Sequence, residues 1–123
     1  MLGATDIEAS KKFYDATLGV LGAKPGYKHI GHGGVVRYMY FLDGGTFLIS
    51  EPLDGNSASH GNGATIGFKA KDTATIDEWH KIGEDNGGVT CEDPPGVRDG
   101  GGMKAYLGYL KDPSGNKICT MHN

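Results

Sequence analysis

The sequence contains only two cysteines, Cys91 and Cys119, and they are too far apart to form a C-x-x-C pair. A disulfide scaffold and a thiolate zinc site are therefore not expected, and both thiols are predicted to be reduced and buried. No run of about 18 apolar residues is present, so no membrane-spanning helix is expected. The N-terminal MLGATDIEAS lacks the basic start and apolar stretch of a signal peptide, which predicts a cytoplasmic location.

Positive charge is also scarce. Twelve Lys and Arg residues stand against fifteen Asp and Glu, for a net charge of -3, so no broad electropositive face is available for phosphates. Nucleic acid and membrane are therefore not expected as partners. Glycine is abundant, at 22 of 123 residues, which is typical of many tight turns between short strands. The length fits one domain over residues 1–123.

Two helices are predicted from apolar residues at helical spacing. The first covers about residues 6–21, with Thr5 as its N-cap and Glu8 completing a capping box. The second covers about residues 73–86, with Asp72 as its cap and His80 packed on its apolar face. Strands are predicted at about residues 22–26, 34–42, 46–51, 63–70, 88–92, 102–111 and 116–122, with residues 1–4 as a truncated first strand.

These elements repeat along the chain. The pair Asp6 and Asp72 is separated by 66 residues, and the pair Tyr38 and Tyr106 by 68. The repeat predicts an α+β fold of two tandem βαβββ units, about residues 1–54 and 63–123, joined by a polar linker over about 55–62. Antiparallel-rich mixed sheets would curl around a concave cavity with the helices outside, because one helix covers only one face of a sheet.

Strand alternation sorts side chains between the helices and the cavity. If the more apolar set of each strand lies under the helices, the other set faces the cavity: Tyr38, Tyr40, Thr65, Gly67, Lys104 and Tyr106. Aromatic rings with hydroxyl tips suit a small, partly apolar ligand. The alternative is that these tyrosines only fill the cavity or a dimer interface.

The sequence resembles the vicinal oxygen chelate superfamily, which includes glyoxalase I, extradiol dioxygenases, fosfomycin-resistance proteins and bleomycin-binding proteins. The resemblance rests on Phe13-Tyr14 with Leu18-Gly19, on Ile66-Gly67-Phe68 before Asp72, and on Asp112-Pro113-Ser114-Gly115-Asn116. It implies a cavity in which His, Glu or Gln side chains from the first and fourth strands of each unit bind one divalent metal. That ion acts as a Lewis acid on a chelating substrate.

The resemblance also implies where the metal ligands would lie. The first position falls ahead of residue 1, and the positions in the second unit fall at Thr65 and Cys119. The remaining position falls at Glu51 if the offset of 68 also relates it to Cys119. Glu51 is thus predicted as the catalytic residue and as the one surviving metal ligand. Ile49 shares its face by alternation, and Met121 is expected in the pocket beside Cys119.

Two functions follow from these residues. One is a metal-dependent lyase, isomerase or dioxygenase with a degenerate metal site. The other is a metal-free protein that binds and sequesters a small aromatic or hydrophobic compound, and it predicts a homodimer because pairing deepens shallow cavities. An enzyme that uses Glu51 as an acid or base without a metal is a third alternative.

Overall fold

A computed structural model describes residues 1–123. Helix α1 spans Ile7–Val20 and helix α2 spans Thr73–Asp85. Neither helix is long and apolar enough to cross a membrane. The strands are β1 Leu2–Gly3, β2 Tyr27–Ile30, β3 Val36–Leu42, β4 Gly45–Ser50, β5 Ile66–Lys69, β6 Val89–Thr90, β7 Gly96–Gly100, β8 Met103–Lys111 and β9 Lys117–His122.

The strands form two mixed sheets with related topology. The first sheet has the order β1-β4-β3-β2, and the second has the order β5-β9-β8-β6, with β7 also paired to β8. In each sheet the first strand of the unit runs parallel to the last one, while the other pairs are antiparallel. The predicted α+β fold of two repeated βαβββ units is confirmed.

Two edge strands differ from the sequence prediction. Strand β2 begins at Tyr27, after a turn in which Gly22 has a φ of 105°, so the strand predicted over residues 22–26 is displaced. Strand β7 was not predicted. Strands β6 and β7 pair with the same edge of β8, one after the other, and residues 91–95 separate them. Pro94 and Pro95 lie in that break, and proline has no N–H to donate to a ladder.

The helix caps explain where each helix begins. Asp6, rather than Thr5, caps α1, because its carboxylate accepts the Ala9 N–H at 3.1 Å. The Thr5 hydroxyl instead accepts the Ala58 N–H at 3.0 Å, which fastens the linker. Asp72 caps α2 as predicted, since it accepts the Thr75 N–H at 2.8 Å.

One core joins the two units. Phe13 and Tyr14 of α1 and Trp79 of α2 are fully buried against the inner faces of both sheets. Helix α2 packs closely on β8 at Gly83, where a Cβ would lie 2.3 Å from Leu110 Cδ1, and on α1, where it would lie 3.3 Å from Thr17 Cγ2. The Tyr14 hydroxyl donates to Asp112 Oδ2 at 2.7 Å, which links α1 to the turn before β9. His80 is also buried on α2, as expected.

Candidate functional site

Each sheet has an inner face that packs on the helices and an open face that does not. In the first unit the hydroxyls of Tyr38 and Tyr40 donate to helix carboxylates, Glu8 Oε1 at 2.6 Å and Asp15 Oδ1 at 2.9 Å. Both tyrosines are buried. Ile49, which pairs with Tyr38, lies in the same core. The predicted cavity-facing orientation of these three residues is therefore wrong.

The physical reason is that a tyrosine can fill a core and still satisfy its hydroxyl on a helix carboxylate. The hydrogen bond to Glu8, followed by burial, raises the pKa of Tyr38 to about 12. Burial, followed by the hydrogen bond to Asp15, raises the pKa of Tyr40 still further. Both hydroxyls therefore stay protonated and act as donors to α1.

The second unit shows the same reversal. The Tyr106 hydroxyl donates to Asp77 Oδ1 on α2 at 2.6 Å, so Tyr106 faces the helix. Lys104 lies near the start of β8, where its Nζ is 3.9 Å from Asp99 Oδ2 and its side chain is exposed. Neither residue lies on the open face, so the prediction that Lys104 and Tyr106 face the cavity is wrong. Gly108 lies close under α2, because a Cβ there would lie 3.0 Å from Ile76 Cγ2 and the Ile76 side chain would have to shift.

Cys119 occupies the open face of the second sheet. It pairs with Gly67, and a Cβ at Gly67 would lie 3.4 Å from Cys119 Sγ. Burial raises the pKa of the Cys119 thiol, which favours the protonated, unreactive form. Met121 shares this face two residues further along β9 and is partly exposed, whereas Thr65 is exposed just before β5.

Tyr109, beside Cys119 on this open face, was not predicted as a site residue. Its ring centroid lies 5.0 Å from Lys117 Nζ and 6.0 Å from the guanidinium carbon of Arg98. Both cations have protein partners. Lys117 forms an ion pair with Glu92, and the terminal nitrogens of Arg98 donate to the backbone carbonyls of Asp93, Pro94 and Gly96.

The open face of the first sheet holds the residues that alternate with Tyr38, Tyr40 and Ile49 along their strands. They are Arg37, Met39 and Phe41 on β3, and Leu48 and Ser50 on β4, where the pairing brings Arg37 opposite Ser50 and Met39 opposite Leu48. Phe41 is 60% exposed. This surface is an apolar strip with one cation at its end. We call these five residues the open strip.

Glu51 follows β4 directly and closes the end of the open strip. Its N–H donates to the Val36 carbonyl at 3.0 Å, and its Oε1 accepts the Val36 N–H at 2.6 Å. The residue lines two adjoining cavities of about 270 and 320 Å³. One carboxylate oxygen is therefore committed to the backbone, and Oε2 is left for other contacts.

The sheet register also changes which residues correspond to the superfamily's metal ligands. The Ala4 N–H donates to the Ser50 carbonyl at 2.9 Å, and the Ala70 N–H donates to the Met121 carbonyl at 2.8 Å. Ser50 therefore corresponds to Met121, so Cys119 corresponds to Leu48 and not to Glu51. The offset of 68 fails because Tyr38 is equivalent in register to Gly108 rather than to Tyr106.

The residues at these positions do not fit a divalent metal. Leucine offers no ligand atom and threonine is a poor ligand, which leaves the Cys119 sulfur as the one strong ligand type among the three positions. No group of three or more His, Cys, Asp or Glu side chains in the chain is placed to hold a metal ion. Catalytic metal sites normally draw three ligands from protein. No reaction step through a metal follows from these residues.

Comparison with known proteins agrees with this architecture. The family model described as glyoxalase/bleomycin resistance protein/dioxygenase superfamily matches residues 1–120. A glyoxalase/bleomycin resistance protein from Albidiferax ferrireducens T118 is 51% identical with a TM-score of 0.92, and the match covers 100% of this chain and 95% of that one. No curated protein matches the chain.

More distant solved structures share the fold. A lactoylglutathione lyase from Agrobacterium tumefaciens is 20% identical with a TM-score of 0.62, covering 98% of this chain and 87% of that one. A fosfomycin resistance protein from Listeria monocytogenes is 16% identical with a TM-score of 0.68, covering 99% and 86%. Taken with the two repeated units and the match over residues 1–120, the chain belongs to the glyoxalase/bleomycin resistance protein/dioxygenase superfamily.

Proposed function

We propose that the chain binds a small, partly apolar molecule on the open face of its first sheet, without a metal ion at the superfamily's ligand positions. The observation that carries the proposal is the open strip. Met39, Phe41 and Leu48 form an unpartnered apolar surface that ends at Arg37 and at a cavity of about 320 Å³. Ligand sites commonly combine an apolar lining with a few placed polar groups.

The residue types favour binding over metal-dependent catalysis. A lyase, isomerase or dioxygenase of this superfamily would need a set of metal ligands, and Leu48, Thr65 and Cys119 do not supply it. The superfamily's description includes bleomycin resistance proteins, which is compatible with a protein that acts by holding a small molecule. Of the residues predicted for the pocket, Glu51 is the one that lines the cavity beside the open strip.

We also propose that two copies of the chain pair as a homodimer. Large apolar side chains stay exposed on the strands of both units, at Tyr27, Ile30, Phe41 and Met103. A second copy would cover part of this surface and deepen the cavities beside the open strip. Light scattering during size-exclusion chromatography should give twice the 13.0 kDa chain mass; a monomer at every concentration would contradict the dimer.

The state of the two cysteines bears on the cellular compartment. Cys91 and Cys119 are free thiols, which is typical of a reducing compartment. We propose the cytoplasm as its location on this basis. Small organic compounds of that compartment are accordingly the proposed ligands, and the net charge of -3 gives no reason to propose a nucleic acid.

A neutral fluorescent dye tests the proposed binding surface. Phenylnaphthylamine should bind the protein in the presence of EDTA, and Met39→Asp should weaken that binding because it places a charge in the middle of the open strip. Val97→Asp is the matched control. Val97 is exposed, like Phe41 of the open strip, but it pairs with Tyr106 and therefore lies on the helix-facing side of the second sheet. Equal binding by both variants and wild type, or binding that EDTA abolishes, would contradict the proposal.

A further inference from the structure

Arg37 is the one charged side chain of the open strip, and it has no acidic partner. None of the ion pairs in the chain includes it. Its single side-chain hydrogen bond runs from Nε to Ser50 Oγ at 3.1 Å. The two terminal nitrogens have no protein partner. Arginine in a recess is normally paired, because an unpaired charge there is poorly solvated.

The hydrogen bond to Ser50 orients this guanidinium. Ser50 is buried, and its hydroxyl donates to the Glu51 carbonyl at 2.8 Å, so its lone pair is turned toward Arg37 Nε. On the other side the guanidinium rests against Gly31. A Cβ there would lie 2.7 Å from Arg37 Cζ and 2.9 Å from Nη1.

Gly31 is not required by the backbone conformation, because its φ is -85° and any residue can adopt that angle. Glycine at this position instead leaves room for the guanidinium where it lies, and a Cβ would displace it. Ser50 therefore orients Arg37 and Gly31 leaves room for that orientation, while both terminal nitrogens are left available. Such a planar, fixed fork matches the two oxygens of a carboxylate.

We infer that Arg37 binds the carboxylate of a small organic monocarboxylate whose apolar part lies along Met39 and Leu48. This inference rests on the proposed function and names the class of its ligand. Glu51 and Asp54 line the same cavity as Arg37. Their negative charges disfavour a doubly charged phosphate or phosphonate, so a singly charged carboxylate is the better match.

Arg98 provides an internal control for this inference. It also lies on an open face, but its terminal nitrogens are occupied by the carbonyls of Asp93, Pro94 and Gly96. An arginine in that state holds a loop and has no free fork for a ligand. Replacement of Arg98 should therefore leave carboxylate binding unchanged, whereas replacement of Arg37 should remove it.

Calorimetric titration with three matched probes tests the inference: phenylpropanoate, its primary amide and phenylethylphosphonate. Wild-type protein should bind the carboxylate about 10- to 100-fold more tightly than the amide, the range expected for charge-assisted hydrogen bonds. Arg37→Met should remove that preference and leave amide binding unchanged. Arg98→Met should keep it, and Gly31→Ala should reduce it by displacing the guanidinium.

Three outcomes would overturn the inference. They are equal affinity for carboxylate and amide, a preference that persists in Arg37→Met, and tighter binding of the phosphonate than of the carboxylate. The thermal midpoint of each variant shows whether it is folded. If phenylnaphthylamine binds the open strip but phenylpropanoate does not bind, the inference fails and the proposed function stands. If neither binds, the proposed function fails as well.

Discussion

The two units of the chain share one topology but place their polar groups differently. In the first unit, tyrosines under α1 bind Glu8 and Asp15, and the open face keeps a cation with free donors at Arg37. In the second unit, Arg98 and Lys117 on the open face are occupied by loop carbonyls and by Glu92. Related backbones thus give one open face with an unpaired cation and one whose cations are paired.

Substitutions in the core between the helices and the inner sheet faces should change the free energy of unfolding most. They test whether the two helices contribute equally to that core. Phe13 and Trp79 hold corresponding, fully buried positions on α1 and α2. Phe13→Ala and Trp79→Ala should each lower the free energy of unfolding by about 3–5 kcal/mol through lost burial and cavity formation. Urea denaturation measures this. A cost below about 1 kcal/mol for one of them would show that the two helices are not equivalent.

A sharper contrast comes from two tyrosine hydroxyls. Tyr14 donates to the buried Asp112 across the two units, whereas Tyr106 donates to Asp77 at the surface of the second. Tyr14→Phe should lower the free energy of unfolding by about 1.5–3 kcal/mol, because a buried carboxylate loses a donor. Tyr106→Phe should change it by less than about 0.5 kcal/mol. Equal effects in the same denaturation assay would contradict the contrast.

Alkaline titration tests the hydrogen bond of one tyrosine in the first unit. The pKa of Tyr38 is about 12 in the folded protein, against about 10 in an unfolded chain. Because the folded-state pKa is raised, the stabilisation is complete below about pH 10 and is lost as the pH rises to about 12. Tyr38→Phe should flatten this part of the stability curve. A decline as steep in the variant as in wild type would exclude Tyr38 as its source.

The sequence predicted the elements and the repeat better than the facing of the side chains. Helical spacing and the Asp72 cap are local signals, and the structure contains both helices. Alternation separates Tyr38 from Arg37 but does not say which of them meets the helix. That choice depends on Glu8, an acceptor on α1 whose position only the tertiary structure provides. The same limit applies to Ile49 and Tyr106.

Arg37 could not be identified from the sequence for a related reason. Its proposed role depends on having no ion-pair partner and on Gly31 beside it, and neither property is visible in a strand pattern. The Glu51 prediction relied on an offset that the register does not support, yet Glu51 still lies at the end of the open strip. The interruption between β6 and β7, in contrast, could have been predicted from Pro94 and Pro95, because two prolines interrupt a ladder.

The central claim is that the first open face binds a small molecule without a metal. The most direct measurement is a titration of phenylnaphthylamine into EDTA-treated protein, repeated after addition of nickel, zinc, manganese or iron. We expect saturable binding of unchanged affinity in every case, weakened by Met39→Asp and not by Val97→Asp. Binding that appears only after a metal is restored, or that is absent throughout, would contradict the claim.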